Sequence, residues 1–239
     1  MNTLKIDKKN VRMVAHRGVS GLEKENTNAA FVAAGNRSYW GIETDIHQTV
    51  DGKYVIFHDD TTKRVGIDDM VIENSTFDTL RSLLLTDIDG VRGRIDLHMP
   101  TLQEYIGICK KYEKVAVLEL KNAFEKERIY DICAQIEAMD YLDHVVFISF
   151  CYDNMVAIRE KYPNQAAQFL TSTYDDELIG KLKAYNLDLD IRHTALTEEN
   201  VKALKEAGIK INCWTVNKPE DGERLASWGV DFITTNILE

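Results

Sequence analysis

Proline is scarce in this chain, with three in 239 residues at Pro100, Pro163 and Pro219. No stretch rich in Pro, Gly or Ser forms a linker, so nothing marks a boundary between separate domains. Cysteine is scarce too. The four, Cys109, Cys133, Cys151 and Cys213, form no C-x-x-C pair and no cysteine–histidine cluster with zinc spacing. Cys109, Cys133 and Cys213 lie in apolar segments and read as reduced, buried thiols of a cytoplasmic protein. No apolar run reaches the ~20 residues of a membrane span. The opening MNTLKIDKKNVR lacks the apolar core of a secretory leader. Stable membrane insertion is not expected. Basic charge is in deficit, 29 Lys and Arg against 39 Asp and Glu, net −10. Such a surface repels phosphate backbones, which argues against nucleic acid as a partner and leaves a local basic pocket as the place for an anion. The glycine-rich motifs G-x-G-x-x-G and G-x-x-x-x-G-K are missing as well, which weakens any dinucleotide-binding or P-loop reading.

What the chain has is a rhythm. Short, near-continuous apolar runs fall at 12–15, 40–46, 114–120, 144–150, 166–170, 187–191, 210–214 and 232–234, the pattern of strands buried on both faces. Between them lie helical patterns at 27–36, 101–112, 125–139, 153–162, 175–185, 197–207 and 218–227. Thr197-Glu-Glu-Asn and Asn217-Lys-Pro-Glu read as helix starts. Strands alternating with helices fit a (β/α)8 barrel or an open doubly wound sheet, and the length suits the barrel. The rhythm breaks once. Residues 58–100 are too many for an ordinary connection and predict a small inserted subdomain over the site, after the second strand.

In a barrel the chemistry sits where the strands end. The first run ends in His16-Arg17. The second contains Glu43-Thr-Asp45. A short strand at 54–57 ends in His58-Asp59, and the third long run ends in Glu119-Leu-Lys121. Residues two apart on a strand share a face, so Glu43 pairs with Asp45 and Glu119 with Lys121. Three carboxylates at one mouth repel each other unless a cation sits among them, and an all-oxygen set suits a hard divalent ion, Mg²⁺ or Ca²⁺. Arg17 and Lys121 can hold an anion beside it, and a phosphate fits that arrangement. His16 and His58 then supply a base and an acid near neutral pH. Each residue alone has a duller reading: a hydrogen-bonding histidine, a solvated strand edge, a simple ion pair. Together, at the same end of successive strands, they describe a metal-dependent, phosphate-handling barrel.

The ordered set AHRG, ENT followed by AF, GIETDIHQTVDGKYVIFHDDTTKR, MPTLQEYI, VLELK, ISF, CWTVN and GVDFITTN resembles the glycerophosphodiester phosphodiesterase family over nearly the whole chain. The resemblance implies a TIM barrel with a small subdomain inserted after the second strand. It implies hydrolysis of a glycerophosphodiester to sn-glycerol 3-phosphate and an alcohol. By motif, Glu43, Asp45 and Glu119 match metal ligands, His16 and His58 the acid/base pair, and Arg17 and Lys121 the phosphate-binding cations. Phe150 and Trp214 match apolar residues lining the substrate mouth. Glu25 is placed either to orient Arg17 or to reach the metal, and Asn26 to cap the first helix. Many relatives carry Pro where this chain has Lys24. The order of the two histidines, His16 as base and His58 as acid, and the nucleophile, water or a glycerol hydroxyl, stay open at this level. Two competing readings remain: a related barrel acting on lysophospholipid or phosphoinositide, and a non-catalytic phosphodiester-binding barrel. Leu83-Leu84-Leu85 is the one strongly apolar patch of the insertion and reads as helical core.

Overall fold

The computed structural model describes residues 2–65 and 69–239. Val, Ile, Leu and Ala make strands that bury both faces; here helices cover one side and a filled interior the other. They close into a barrel. Its eight parallel strands are β1 (Arg12–Ala15), β2 (Gly41–Gln48), β4 (Val115–Leu120), β5 (Val145–Ser149), β6 (Ala166–Thr171), β7 (Asp188–Arg192), β8 (Ile211–Trp214) and β9 (Phe232–Thr235). Closure runs through β1, which pairs Val14 with Gly41 on one side and Val14 with Thr234 on the other. A ninth strand, β3 (Tyr54–Ile56), lies antiparallel on β2. The TIM barrel expected from the rhythm is the fold found.

The helices α1 (Asn28–Gly35), α3 (Leu102–Lys111), α4 (Lys126–Glu137), α5 (Tyr152–Lys161), α6 (Leu178–Ala184), α7 (Glu198–Glu206) and α8 (Pro219–Trp228) follow the strands. Each amphipathic helix turns its apolar stripe to the barrel: α3 buries Leu102, Tyr105, Ile106 and Cys109, and α4 buries Ile129, Ile132, Cys133 and Ile136. All four cysteines are free; Cys151 is half-buried and the other three are buried. Thr27 caps α1, Thr101 and Glu104 form a capping box on α3, and Thr197 caps α7. At α8 the start signal is Pro219 alone; Asn217 instead accepts a hydrogen bond from the Asn236 amide at 2.9 Å.

Between β2 and α3 the chain makes the excursion that the broken rhythm predicts, although its residues 66–68 lie outside the described residues. It has a small core of its own, Val55, Phe57, Val65, Ile72, Leu80, Leu85, Leu97 and Met99. Its helix α2 (Phe77–Arg81) ends before the leucine triplet, so Leu83-Leu84-Leu85 is not helical. Leu85 is buried and Leu83 packs on the same cluster, while the exposed large apolar residues among those described in 58–100 are Val71, Ile88, Val91 and Ile95.

The turn after β1 depends on Gly18. Its φ is +75°, and a Cβ there would lie 2.6 Å from the Ala30 Cβ and 2.7 Å from the Ala30 carbonyl carbon. Glycine lets the turn close onto α1 and leaves Arg17, itself at φ +53°, held over the end of the barrel.

Candidate active site

β2 and β4 are in register, with Asp45 opposite Glu119. That register, with the two-residue repeat, brings carboxylate oxygens of Glu43, Asp45 and Glu119 within 4.8 Å of one another, all buried. Burial, then the charge of Asp45, raises Glu43 well above the usual carboxylate range. The same two causes push Glu119 up to about 8. Burial would raise Asp45 too, but Arg17 and Lys121 outweigh it and hold Asp45 ionised.

Two cations flank the cluster. Lys121 Nζ lies 2.9 Å from Glu119 Oε1 and 3.6 Å from Asp45 Oδ1. Arg17 Nε lies 3.6 Å from Asp45 Oδ2, and the Arg17 amide donates to Glu43 Oε2 at 2.8 Å. Even so, Asp45 Oδ1, Glu119 Oε1 and Arg17 Nε are buried without an aligned hydrogen-bond partner. Lys121 holds Glu119 and Asp45 at ion-pair distance. Orphaned oxygens in a buried, three-carboxylate, all-oxygen cluster fit a hard divalent cation.

The histidines line the same pocket, with Arg17, Glu43 and Glu119. His16 Nδ1 lies 2.7 Å from Asn236 Oδ1. An amide oxygen only accepts, so Nδ1 carries the proton and Nε2, 4.0 Å from Glu43 Oε2, keeps its lone pair. Burial, then Arg17, lowers His16 to about 4. His58 Nδ1 lies 2.6 Å from Asp59 Oδ1. Burial would raise Asp59, but the Arg64 hydrogen bonds outweigh it and set Asp59 at about 2. Asp59 is therefore a carboxylate, and His58 Nδ1 donates to it.

Glu25 and Asn26 resolve differently from each other. Glu25 orients Arg17, accepting from Nη1 at 2.8 Å, and lies outside the carboxylate cluster. Burial opposes its ionisation, yet Arg64 and Arg17 lower it to about 2. Asn26 does not cap the helix; Thr27 does. Asn26 sits at φ +53° and points inward, donating to Asp45 Oδ2 at 2.7 Å and accepting from the Thr44 hydroxyl at 2.7 Å. The backbone turn that a helix cap would need is spent on reaching β2. Lys24 is buried and offers its carbonyl to Thr27 at 2.6 Å, so the turn is closed by a side-chain hydroxyl.

Phe150 and Trp214 line the pocket as an edge-to-face pair, ring centroids 5.6 Å apart at 83°. Phe150 is 44% exposed and forms the rim. A larger hollow of about 530 Å³, edged by Lys9, Arg12, Lys205 and Lys210, lies at the opposite ends of the strands, away from the carboxylates and histidines.

Reading strand ends assigns no role to four contributors. Arg64 forks between Glu25 and Asp59, where the sequence shows only a charged run in an insertion. Asp59 is adjacent to His58 and was visible as the second half of H-D. Asn236 ends the TTN motif. Asp190, an acid inside the apolar run of β7, is buried and lines the pocket; an ionisable residue at an interior strand position was its available signal.

A family model described as the glycerophosphoryl diester phosphodiesterase family matches residues 16–239. The chain belongs to that family. Among its relatives are an uncharacterized protein YqiK of Bacillus subtilis, 26% identical over 95% of this chain and 96% of that one. A glycerophosphodiester phosphodiesterase of the same organism is 25% identical over 93% of this chain and 82% of that one. A solved phosphodiesterase from Oleispira antarctica, in complex with the product sn-glycerol 3-phosphate, superposes with TM-score 0.81 at 25% identity over 97% of this chain and 95% of that one. The β1–α1 turn, the β2 carboxylate Glu43 and the H-D at the start of the excursion meet at the pocket. Among the described residues no helix is long and apolar enough to cross a membrane.

Proposed function

We propose that the protein hydrolyses glycerophosphodiesters to sn-glycerol 3-phosphate and an alcohol, using a divalent cation, Mg²⁺ or Ca²⁺, and the two histidines. The observation carrying this reading is the convergence, in one pocket, of a buried carboxylate cluster with two histidines whose Nδ1 protons are both held. Membership in the family and the relatives' names support the substrate class.

Glu43, Asp45 and Glu119 would hold the cation, which when bound supplies Lewis-acid polarisation of a phosphate oxygen. Arg17 and Lys121 bind the remaining phosphate oxygens and offset charge in the transition state. Glu25 keeps the Arg17 guanidinium aimed. His16 Nε2, neutral because burial lowers its basicity, takes the proton of the attacking hydroxyl, whether water or the neighbouring glycerol hydroxyl. His58 Nε2 gives its proton to the departing alcohol as the P–O bond breaks. Burial lowers His58; an anionic diester beside it would raise its proton affinity, and Asp59 stabilises the imidazolium. The net change consumes one water.

Enzymatically coupled detection of released glycerol 3-phosphate, with and without EDTA, tests the reading. Release from glycerophosphocholine or glycerophosphoethanolamine that stops on chelation is expected. Activity confined to lysophospholipid would move the substrate to lipids. Binding without release from any diester would make the pocket a receptor.

A further inference from the structure

The mechanism uses every titratable group around the pocket except Asp190. This residue lies on β7, between Leu170 of β6 and Asn212 of β8 in the ladder. It is 1% exposed. Its Oδ1 is buried with no hydrogen-bond partner. The neighbouring interior polar groups are already satisfied by one another: Asn212 donates to Gln168 Oε1 at 3.3 Å and accepts from the Thr234 hydroxyl at 3.1 Å. Asp190 stands apart from that chain. It shares the pocket with Ile148, Leu170, Phe150 and Trp214, an apolar and aromatic wall.

A buried carboxyl oxygen without a partner, on a pocket wall outside the carboxylate cluster, calls for an explanation. Burial, then the nearby charge of Glu119, raises Asp190 well above the usual carboxylate range. A carboxyl on the pocket wall accepts a hydrogen bond from a hydroxyl that enters beside it. The apolar wall beside it suits the methylene carbons that carry such a hydroxyl.

Resting on the hydrolytic reading above, we propose that Asp190 is the specificity determinant for the terminal free hydroxyl of the substrate's glycerol, the one on the carbon farthest from the phosphate. The phosphate is fixed by Arg17 and Lys121, and the adjacent hydroxyl belongs to the reacting region. The third glycerol carbon then brings its hydroxyl to Asp190. A 1-acyl chain would remove that donor and leave Asp190 unpaired, so the residue selects deacylated diesters over lysophospholipids.

Calorimetric titration in Mg²⁺ tests this with three probes: sn-glycerol 3-phosphate, propane-1,2-diol 1-phosphate, which lacks only the terminal hydroxyl, and inorganic phosphate. The wild type is expected to prefer the first over the second by about 10- to 100-fold. In Asp190→Leu that ratio falls to about 1, with phosphate affinity unchanged; Asp190→Asn, which keeps a donor and an acceptor, retains part of the preference. Thermal melting checks that both variants fold, and Asp190→Asn carries the test if the leucine variant does not. Full discrimination in either variant, or equal weakening of all three ligands, overturns the proposal. A wild type that hydrolyses diesters while Asp190→Leu discriminates normally defeats this inference alone. A wild type that neither binds glycerol 3-phosphate nor releases it defeats the functional reading beneath it as well.

Discussion

Arg64 and Glu25 form a two-pronged ion pair, Nη1 to Oε2 at 2.8 Å and Nη2 to Oε1 at 2.7 Å, that joins the inserted excursion to the first βα turn. The same guanidinium grips Asp59 through Nε at 2.6 Å. One side chain therefore braces both the partner of Arg17 and the partner of His58. Arg64→Ala should lower kcat/KM by about 10- to 100-fold through misplacement alone. Arg64→Lys should recover only part of it, because an ammonium cannot span two carboxylates in a planar fork. Steady-state kinetics of glycerol 3-phosphate release, with thermal melting as the folding control, measures this. Wild-type kinetics in Arg64→Ala would show that the brace is dispensable.

The two histidines should be separately essential. His16→Ala and His58→Ala are each expected to reduce kcat by roughly 10²–10⁴-fold without loss of fold. Single-turnover rates with a folded-state control decide it, and near-full turnover in either variant removes that histidine from the proposed chemistry.

The carboxylate cluster should respond to the cation even without substrate. Mg²⁺ or Ca²⁺ at ~100 times its Kd should raise the wild-type Tm by about 5–10 °C for a chain of this size. Chelation should reverse the rise, and Glu119→Gln should abolish it. A Tm indifferent to both ions in the wild type would contradict a cation site at Glu43, Asp45 and Glu119.

Asn26 is expected to matter for stability as much as for the site. Its side chain satisfies Thr44 and Asp45, and its backbone sits at positive φ. Asn26→Ala gives up both buried hydrogen bonds in a conformation alanine adopts poorly, a loss of about 2–4 kcal/mol. Urea unfolding of the two proteins at pH 7 gives the number, and a difference under ~0.5 kcal/mol, typical of an ordinary surface change, would refute it.

Acid should expose the role of Glu239. Its carboxylate accepts from Thr3 at 2.5 Å and from the Ser38 amide at 2.8 Å and pairs with Lys5 at 2.7 Å. Burial opposes ionisation, but these partners, Lys5 first, lower the group from 4.5 to about 2. A folded-state value below the unfolded one adds stability that is complete above pH 4.5 and disappears as pH falls toward 2. Glu239→Gln should therefore be less stable than wild type by about 1–2 kcal/mol at pH 7, with the gap closing across that acid window. A gap that is constant with pH would assign the effect to packing.

Much of this molecule follows from local pattern. Strands of Val, Ile and Leu alternating with amphipathic helices specify a parallel sheet covered on both faces, and the chain length then favours a barrel over an open doubly wound sheet. The i, i+2 repeat in Glu43-Thr-Asp45 and Glu119-Leu-Lys121 places their side chains on one face before any fold is known, since strand geometry is local. Even the excursion between β2 and α3 shows as an interruption of that period.

Other features depend on contacts across long stretches of chain. Asn26 looks like a helix cap in sequence; only the register of the β1–α1 turn against β2, 18 residues away, turns it toward Thr44. Glu25 could serve a metal or an arginine until the turn at Gly18 sets where Arg17 lies. Arg64 is one charge among many in an exposed run until folding brings it between Glu25 and Asp59. Asp190 shows in sequence only as an acid in an apolar strand, and its lack of a partner exists only once β6, β8 and the pocket surround it. Side-chain direction along a strand is set by backbone geometry, whereas hydrogen-bond partnership is set by which distant groups the closed barrel brings within reach.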